Sequence, residues 1–515
     1  MLFNSFLFLL LFLPLVLSGY FLCVRIGHRV AMAWLVGASL LFYGWWTPAY
    51  LILLCCSILF NYTAGVFIQK TSANGRVQMI ILASGITLNL LLLCYYKYLF
   101  PILHWFEKLD LYLIPANAGV LLPLGISFFT FTQIGYLIDC KAGLASGRRF
   151  LDYTLFVTFF PHLIAGPILH HREMMPQFEN RETWRFDLNN FTVGLCIFSI
   201  GLAKKTIVAD RFSDYVNTGF NALGQLSSAD AWMTMLSYSM QLYFDFSGYS
   251  EMAIGLALLF NIRFPANFDS PYKSGSIIEF WQRWHMTLTR YLNLYLYNPV
   301  ALWVTRLRTH RGMPVGRPGL KTLSGFLSMV AFPTVFTMVL AGIWHGAGLQ
   351  FLIWGLLHAC YLIINHIWRL ILHKKNAKNS PEKPNWFSPL WKIAVTYCSV
   401  LFAQIFFRCP SITDSLTMIS TMIGHSHRTS VIFDHPLLVW TYITVGFLVV
   451  LGTPNTLQVF SKWEPTLSKL QNPFSEKLAL FQWKPSIFWA VVVGVVSALA
   501  ILGVGGATEF LYFRF

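Results

Sequence analysis

Two histidines stand in surroundings that chemistry could use. His345 lies in Ala-Gly-Ile-Trp-His-Gly-Ala-Gly (341–348), within Thr322–Trp368, a stretch free of Lys, Arg, Asp and Glu. Glycines at 342, 346 and 348 let the backbone bend or a substrate come close. An ionisable group at membrane depth is a functional candidate by default. The plainer reading is an imidazole held by one helix–helix hydrogen bond, and a surface hairpin at the glycines would place it near the interface instead. His285 closes Glu279-Phe-Trp-Gln-Arg-Trp-His285. Trp281 and Trp284, one helical turn apart, would wall one face, and Glu279 with Arg283 at i, i+4 can pair. A neutral imidazole there can take a proton from a hydroxyl, because its pKa lies near working pH. Here the plainer reading is an interfacial aromatic belt with a passenger histidine.

Two further clusters carry polar groups among apolar flanks. Gln241–Glu251 brings together Tyr243, Asp245, Ser247, Tyr249 and Glu251; a carboxylate in lipid is costly, so Asp245 needs a partner or a watery cavity. A proton-coupled transporter would want the same. Pro161-His162 to Gly166-Pro167, with Pro123 to Phe128 upstream, reads as broken helices around a cavity. The nine cysteines form no C-x-x-C and lie mostly in apolar runs, which suits small buried hydrophobes and gives no metal, disulfide or redox centre. There is no phosphate-binding glycine loop of the P-loop or dinucleotide type.

These residues need a membrane scaffold. Of 515 residues, 56% are hydrophobic and 11% charged, against about 25% charged in soluble domains. The formal charge of +16 falls mostly between apolar runs, as the positive-inside bias requires, so no nucleic-acid partner is expected. Uncharged runs such as Met1–Cys23, Val30–Gln69, Val77–Tyr96, Leu111–Ile138, His435–Ser461 and Pro485–Thr508 each supply the roughly 20 apolar residues a span needs. With weaker candidates at Tyr153–His171, Leu188–Ala203, Ala231–Ile262 and Ile393–Phe407, roughly eleven spans are expected. The fold class is all-α: a polytopic helical protein with re-entrant or interfacial helices, forming one domain over 1–515. Ser276–Leu296, where charges alternate with aromatics, suits an interfacial or re-entrant helix. The first helix is read as retained, with its N-terminus outside and Arg25, His28 and Arg29 in the cytoplasm. Residues 304–321 (Arg306, Arg308, Arg311, Arg317, Lys321) and 369–383 (Arg369, Lys374, Lys375, Lys378, Lys383 against Glu382) read as basic cytoplasmic loops. Arg306, Arg308 and Arg311 could also attract the phosphates of a coenzyme A donor. Asn376–Pro389 reads as a surface linker.

At these motifs the sequence resembles the membrane-bound O-acyltransferase superfamily, in particular its bacterial alginate O-acetylase branch. The likeness rests on LLPLGISFFTF (121–131), FPHLIAGPIL (160–169), QLYFDFSGYSEMAIGLALLF (241–260), NFDSPYKSGSIIEFWQRWHMTL (267–288) and GIWHGAGLQFLIWGLLHA (342–359), with FFRCP (406–410) and EFLYFRF (509–515) following in order. The core motifs span about 121–370. The resemblance implies a central tunnel through which an acyl group passes from a cytoplasmic thioester to a hydroxyl on the other face. It implies acetyl-CoA as co-substrate with no bound cofactor, an extracytoplasmic acetyltransferase partner, a polysaccharide acceptor such as alginate, and a bacterial inner-membrane location. The family histidine falls on His345, expected to act as general base; the Asn-or-His position of F-W-x-x-W-[NH] falls on His285, expected to orient or polarise the donor carbonyl. Asp245, Glu279, Trp281, Trp284, Trp344 and Tyr243 would support them, and His358 is read as packing or a tunnel neighbour. Where branch members carry a glycine-rich loop, this chain has Tyr295-Leu-Tyr-Asn-Pro299 and a basic stretch; this leaves cellulose, other exopolysaccharides and cell-wall polymers open as acceptors. The alternatives are D-alanyl transfer from a carrier protein to a cell-wall polymer and, in a different class, a proton-coupled transporter.

Overall fold

The computed structural model describes residues 1–45, 47–107, 122–145, 149–376, 388–425, 432–468, 481–506 and 510–511. Those residues are helical, with no strand among them. Among the described residues, eight helices are long and apolar enough to cross a bilayer: Phe8–Ile26, Pro48–Lys70, Gly75–Lys97, Leu188–Asn221, Leu323–His345, Leu349–Ile371, Leu390–Arg408 and Ile487–Gly505, with Pro436–Gly452 a shorter apolar helix. Several of the stretches counted toward the expected eleven are not single long apolar helices, for local reasons. Val30–Gln69 does form two helices, but the first, His28–Gly44, has only 17 residues. Tyr153–His171 is cut into Phe150–Thr158 and Phe160–Leu163, because Pro161 and Gly166-Pro167 end helices. Ala231–Ile262 lies mostly in one 32-residue helix, Ser228–Leu259, whose centre carries Asp245 and Glu251. Of Leu111–Ile138, residues 111–121 lie outside the described residues, and the rest enters the 16-residue helix Ile126–Lys141.

The chain forms two compact units. One comprises Met1–Val208, Asp245–Ala266 and Thr456–Arg514; the other comprises Ala209–Phe244 and Asn267–Asn455. In the first, Asn61 and Asn89 exchange amide hydrogen bonds of 3.2 and 2.7 Å between Pro48–Lys70 and Gly75–Lys97, the polar adhesive expected where lipid supplies no hydrophobic drive between helices. Leu188–Ala203 meets residues 245–259 at glycine pairs: a Cβ on Gly194 would stand 2.7 Å from the Gly255 carbonyl, and one on Gly201 would stand 2.7 Å from that of Gly248.

In the second unit the Ser276–Leu296 segment is not one helix. Ser276 caps Ile277–Arg283 by accepting from the Glu279 amide (3.2 Å), and the Glu279 carboxylate accepts from the Gly275 amide (2.9 Å), a reciprocal start close to a capping box. The helix stops at Trp284, whose backbone is extended, and His285 adopts φ 44°, ψ 52° before Met286–Leu292 begins. That left-handed conformation is costly for a non-glycine residue and persists only where neighbours enforce it. Downstream, Phe332–His345 and Leu349–Asn376 pack as a hairpin. Gly342 makes this possible: a Cβ there would lie 2.3 Å from the Phe351 carbonyl oxygen.

The basic stretch 304–321 is largely structured. Arg306 and Arg308 ride on the helix Asn298–His310, Arg311 caps it, and Gly316–Leu320 forms a further short helix. Arg369, Lys374 and Lys375 continue Leu349–Asn376, while Lys378, Glu382, Lys383, most of the Asn376–Pro389 linker and the terminal Glu509 and Arg514 lie outside the described residues.

Candidate functional site

His345 is the last residue of Phe332–His345 and so stands at a span end rather than mid-span. It is buried, with its ring 4.8 Å from Trp344, 5.1 Å from Trp354 and 5.0 Å from Phe407. Trp354 is shared: its other edge meets His358 at 4.8 Å. His358 in turn lies 5.1 Å from Trp281, whose indole N–H donates to His358 Nδ1 at 3.3 Å. An indole can only donate, so Nδ1 of His358 is the bare nitrogen and, in the neutral ring, the proton sits on Nε2. Two imidazoles are thus interleaved with two indoles, and His358 packs within that stack. Trp354 is a residue that sequence reasoning missed; its position nine residues after His345 carries no signal until the hairpin folds back.

His285 is held by a different device. Its Nδ1 lies 3.0 Å from Asn267 Oδ1, and the same oxygen accepts from the Thr287 backbone N–H (3.3 Å) and the Thr287 hydroxyl (2.8 Å). A backbone N–H cannot accept, so the shared atom of Asn267 is its carbonyl oxygen, and His285 Nδ1 must carry the proton. The Asn267 carbonyl also takes the Met286 amide at 2.9 Å. Asn267 therefore caps Met286–Leu292 from outside and orients His285 at once. Burial pushes the His285 imidazole down to about 3, so it is neutral, with its lone pair on Nε2. In this tautomer Nε2 is the accepting nitrogen, whereas polarising a carbonyl needs a donating N–H.

The break at His285 also separates the tryptophans expected to form one wall. Trp281 faces Trp354 and His358. Trp284 stacks on Phe280 (5.6 Å, 15°) and Tyr272 (6.1 Å, 16°) and meets Phe268 and Tyr243. Tyr243 belongs to this second aromatic group. Tyr272, hydrogen-bonded with Ser239 and Gln404, is pushed up to about 12 by burial and is no nucleophile at neutral pH. Glu279 does pair with Arg283, at 2.8 Å and partly exposed, and it caps a helix start. Asp245 belongs to the other unit, where it has a partner. Lys205 Nζ lies 2.8 Å from Asp245 Oδ1 with both side chains 2% exposed, the Leu511 amide donates to Oδ2 at 3.0 Å, and the Phe510 ring covers Nζ at 4.7 Å. Beside it Lys204 pairs with Glu251, which also accepts from Thr456 at 2.8 Å.

Arg308 is not available to a donor's phosphates. Its guanidinium is buried and donates to the Pro314 carbonyl (3.1 and 3.3 Å), Ser324 (3.2 Å) and Ser328 (3.1 Å), which ties off the turn after its helix. Arg306 and Arg311 remain exposed. A cavity of about 260 Å³ against Trp281 is lined by polar side chains, among them Gln282, Thr289, Asn293, Thr337 and His366, together with apolar ones. The hydroxyls of Thr289 and Thr337 reach no hydrogen-bond partner within the protein, so the cavity presents polar groups ready for a ligand. No grouping of His, Cys, Asp and Glu suited to a metal ion occurs among the described residues.

Comparison with known proteins bears on the family of the chain. A family model for the membrane-bound O-acyltransferases matches residues 40–313, which include His285. A peptidoglycan O-acetyltransferase of Helicobacter pylori is 38% identical over 82% of this chain and 80% of its own length. A probable alginate O-acetylase of Pseudomonas putida is 35% identical over the same shares. A teichoic acid D-alanyltransferase of Bacillus subtilis is 27% identical over 55% of this chain and 68% of its own. The chain is a multi-pass membrane protein and belongs to the membrane-bound O-acyltransferase family.

Proposed function

We propose that this acyltransferase takes an acetyl group from a cytoplasmic thioester, acetyl-CoA, and delivers it to hydroxyls of an extracytoplasmic cell-envelope polysaccharide, with an extracytoplasmic acetyltransferase as partner. The observation that carries the reading is the buried imidazole–indole stack His345–Trp354–His358–Trp281, with His285 four residues beyond Trp281 and a polar-lined cavity against Trp281. The cavity would receive the thioester arm, and His345 and His285 would handle the proton. The hydroxyl oxygen forms the new bond to the carbonyl carbon, and the carbon–sulfur bond breaks. The hydroxyl proton passes through an imidazole to the departing thiolate. Orientation across a bacterial inner membrane, with the N-terminus outside, is part of the same proposal.

The acceptor class follows two relatives matched over 80% of their own length, which are named for peptidoglycan and alginate. The D-alanyl reading has the shorter and weaker match. The deciding measurement is free-thiol release by the purified protein with candidate partner and polysaccharide present, comparing acetyl-CoA, longer acyl-CoAs and a D-alanyl carrier thioester. Release favouring acetyl-CoA supports the proposal, and release with the carrier thioester alone replaces it by D-alanyl transfer. Substrate-linked proton uptake by liposomes without thioester loss would make the protein a transporter.

A further inference from the structure

His285 sits in a backbone conformation that its own sequence does not favour. The chain around it offers no glycine: Arg283-Trp284-His285-Met286 must turn at φ 44° on a histidine. Strain of this kind is maintained only when surrounding contacts over-determine it, and here they come from residues 267–269. The Asp269 amide donates to the Arg283 carbonyl at 3.0 Å, and the Arg283 guanidinium returns a bond to the Asp269 carbonyl at 3.4 Å. Asn267 supplies the rest: its backbone carbonyl to Met286, and its side-chain oxygen to Thr287 and to the imidazole. Asn267 has no solvent exposure and His285 has 2%, so water does not compete for these bonds.

We propose that Asn267 is a positioning residue: it holds His285 in the one neutral tautomer whose Nε2 lone pair can take the proton of the acceptor hydroxyl. This rests on the acyl-transfer reading above, in which His345 and His285 both serve the proton transfer. In the step, the hydroxyl O–H proton moves to His285 Nε2 as the oxygen bonds to the carbonyl carbon. The electron pair of the breaking carbon–sulfur bond stays on sulfur, and the proton then passes from the imidazole to that thiolate. Were the Asn267 amide reversed, its NH2 would face both His285 Nδ1 and the Thr287 N–H. It would leave the backbone donor without an acceptor in a dry site, so the backbone itself enforces the imidazole's tautomer.

The test uses washed membranes of cells producing the full chain, which retain any partner, with radiolabelled acetyl-CoA as donor and label in the polysaccharide fraction as readout. Asn267→Leu should lower the maximal rate about 100-fold or more, as expected when an imidazole loses the group fixing its tautomer, while KM for acetyl-CoA stays within about 2-fold. Asn267→Asp, which keeps an oxygen toward Nδ1 and Thr287, should recover activity to within about 10-fold of wild type. In a His285→Ala background, Asn267→Leu should remove nothing more, because a residue acting through His285 has nothing left to act on. Equal proportional losses in both backgrounds, or no recovery with Asp at matched protein levels, would overturn the proposal by making Asn267 a structural cap only. An inactive wild type under these conditions would overturn the acetyl-transfer reading, and this inference with it. Wild-type turnover unaffected by Asn267→Leu would overturn only the inference.

Discussion

Two buried polar regions of this chain answer the same problem in opposite ways. Around Asp245, full charges are cancelled on the spot: Lys205 and the Leu511 amide take one carboxylate, Lys204 and Thr456 take the other, and Phe510 covers the ammonium. Around His345, His358 and His285 the groups are imidazoles instead: His345 and His358 are interleaved with indoles, and His358 and His285 are each held by a directional hydrogen bond. A buried ion pair that is cancelled this fully has no capacity left for a substrate and resists rearrangement. A neutral imidazole with a fixed tautomer presents one accepting nitrogen and carries no charge that must be cancelled. Both regions looked equally chemical as strings of residues. Their difference in charge and partners is what a test of scaffold against site can use.

The comparison breaks first, and by the largest amount, at His345. His345→Ala should reduce acyl transfer at least ~1,000-fold, within the range that positioned acid–base groups contribute, with expression and thermal unfolding near wild type. Activity within a few-fold of wild type would move the site elsewhere. The opposite pattern belongs to Lys205. Lys205→Met leaves a buried carboxylate uncompensated and should cost about 3–5 kcal/mol, read as an early loss of the monodisperse peak after heating in detergent. Adding Asp245→Asn, which removes the stranded charge yet still accepts from the Leu511 amide, should return most of that stability and leave transfer competent. If the double variant is stable but inactive, the pair serves chemistry and the division between the regions fails.

How much of this could be read from the sequence depends on how local each determinant is. Helical class and membrane character follow from composition, and the Glu279–Arg283 pair follows from i, i+4 spacing. His345 stood out as a candidate because three glycines and an uncharged stretch surround it. Lys205 was not: it lies 40 residues before Asp245, and only the packing of Leu188–Ala203 on residues 245–259 joins them. The single aromatic wall failed because Trp284 and His285 leave the helix where neither glycine nor proline announces a break; the cause is Asn267, 18 residues upstream. Arg308 read as a loop charge because positive-inside counting treats every basic residue as solvated, whereas Pro314, Ser324 and Ser328 fold back onto it.

Gly342→Ala probes the positioning of the imidazole stack rather than its chemistry. The new Cβ would sit 2.3 Å from the Phe351 carbonyl oxygen, so the hairpin must open, at about 1–3 kcal/mol for overpacking. His345 lies three residues on, and displacing it by about 1 Å can cost up to ~100-fold in rate. Transfer should therefore fall further than stability does. A variant that melts early yet turns over normally would show that the His345–Trp354 stack tolerates movement.

The smallest effect is expected at Glu279, the carboxylate nearest in sequence to His285. Its side chain is 35% exposed and that of Arg283 21%, so their pairing is screened by solvent and is worth about 0.5 kcal/mol or less. Glu279→Gln keeps an oxygen for the Gly275 amide, which preserves the start of Ile277–Arg283. Transfer should stay within about 2-fold of wild type and unfolding within about 2 °C, measured on the same membranes and the same detergent extract. A fall of 10-fold or more in transfer at unchanged stability would mean that a charge beside the imidazoles takes part in the reaction. The neutral-ring account of that region would then give way to an acid–base couple built on Glu279.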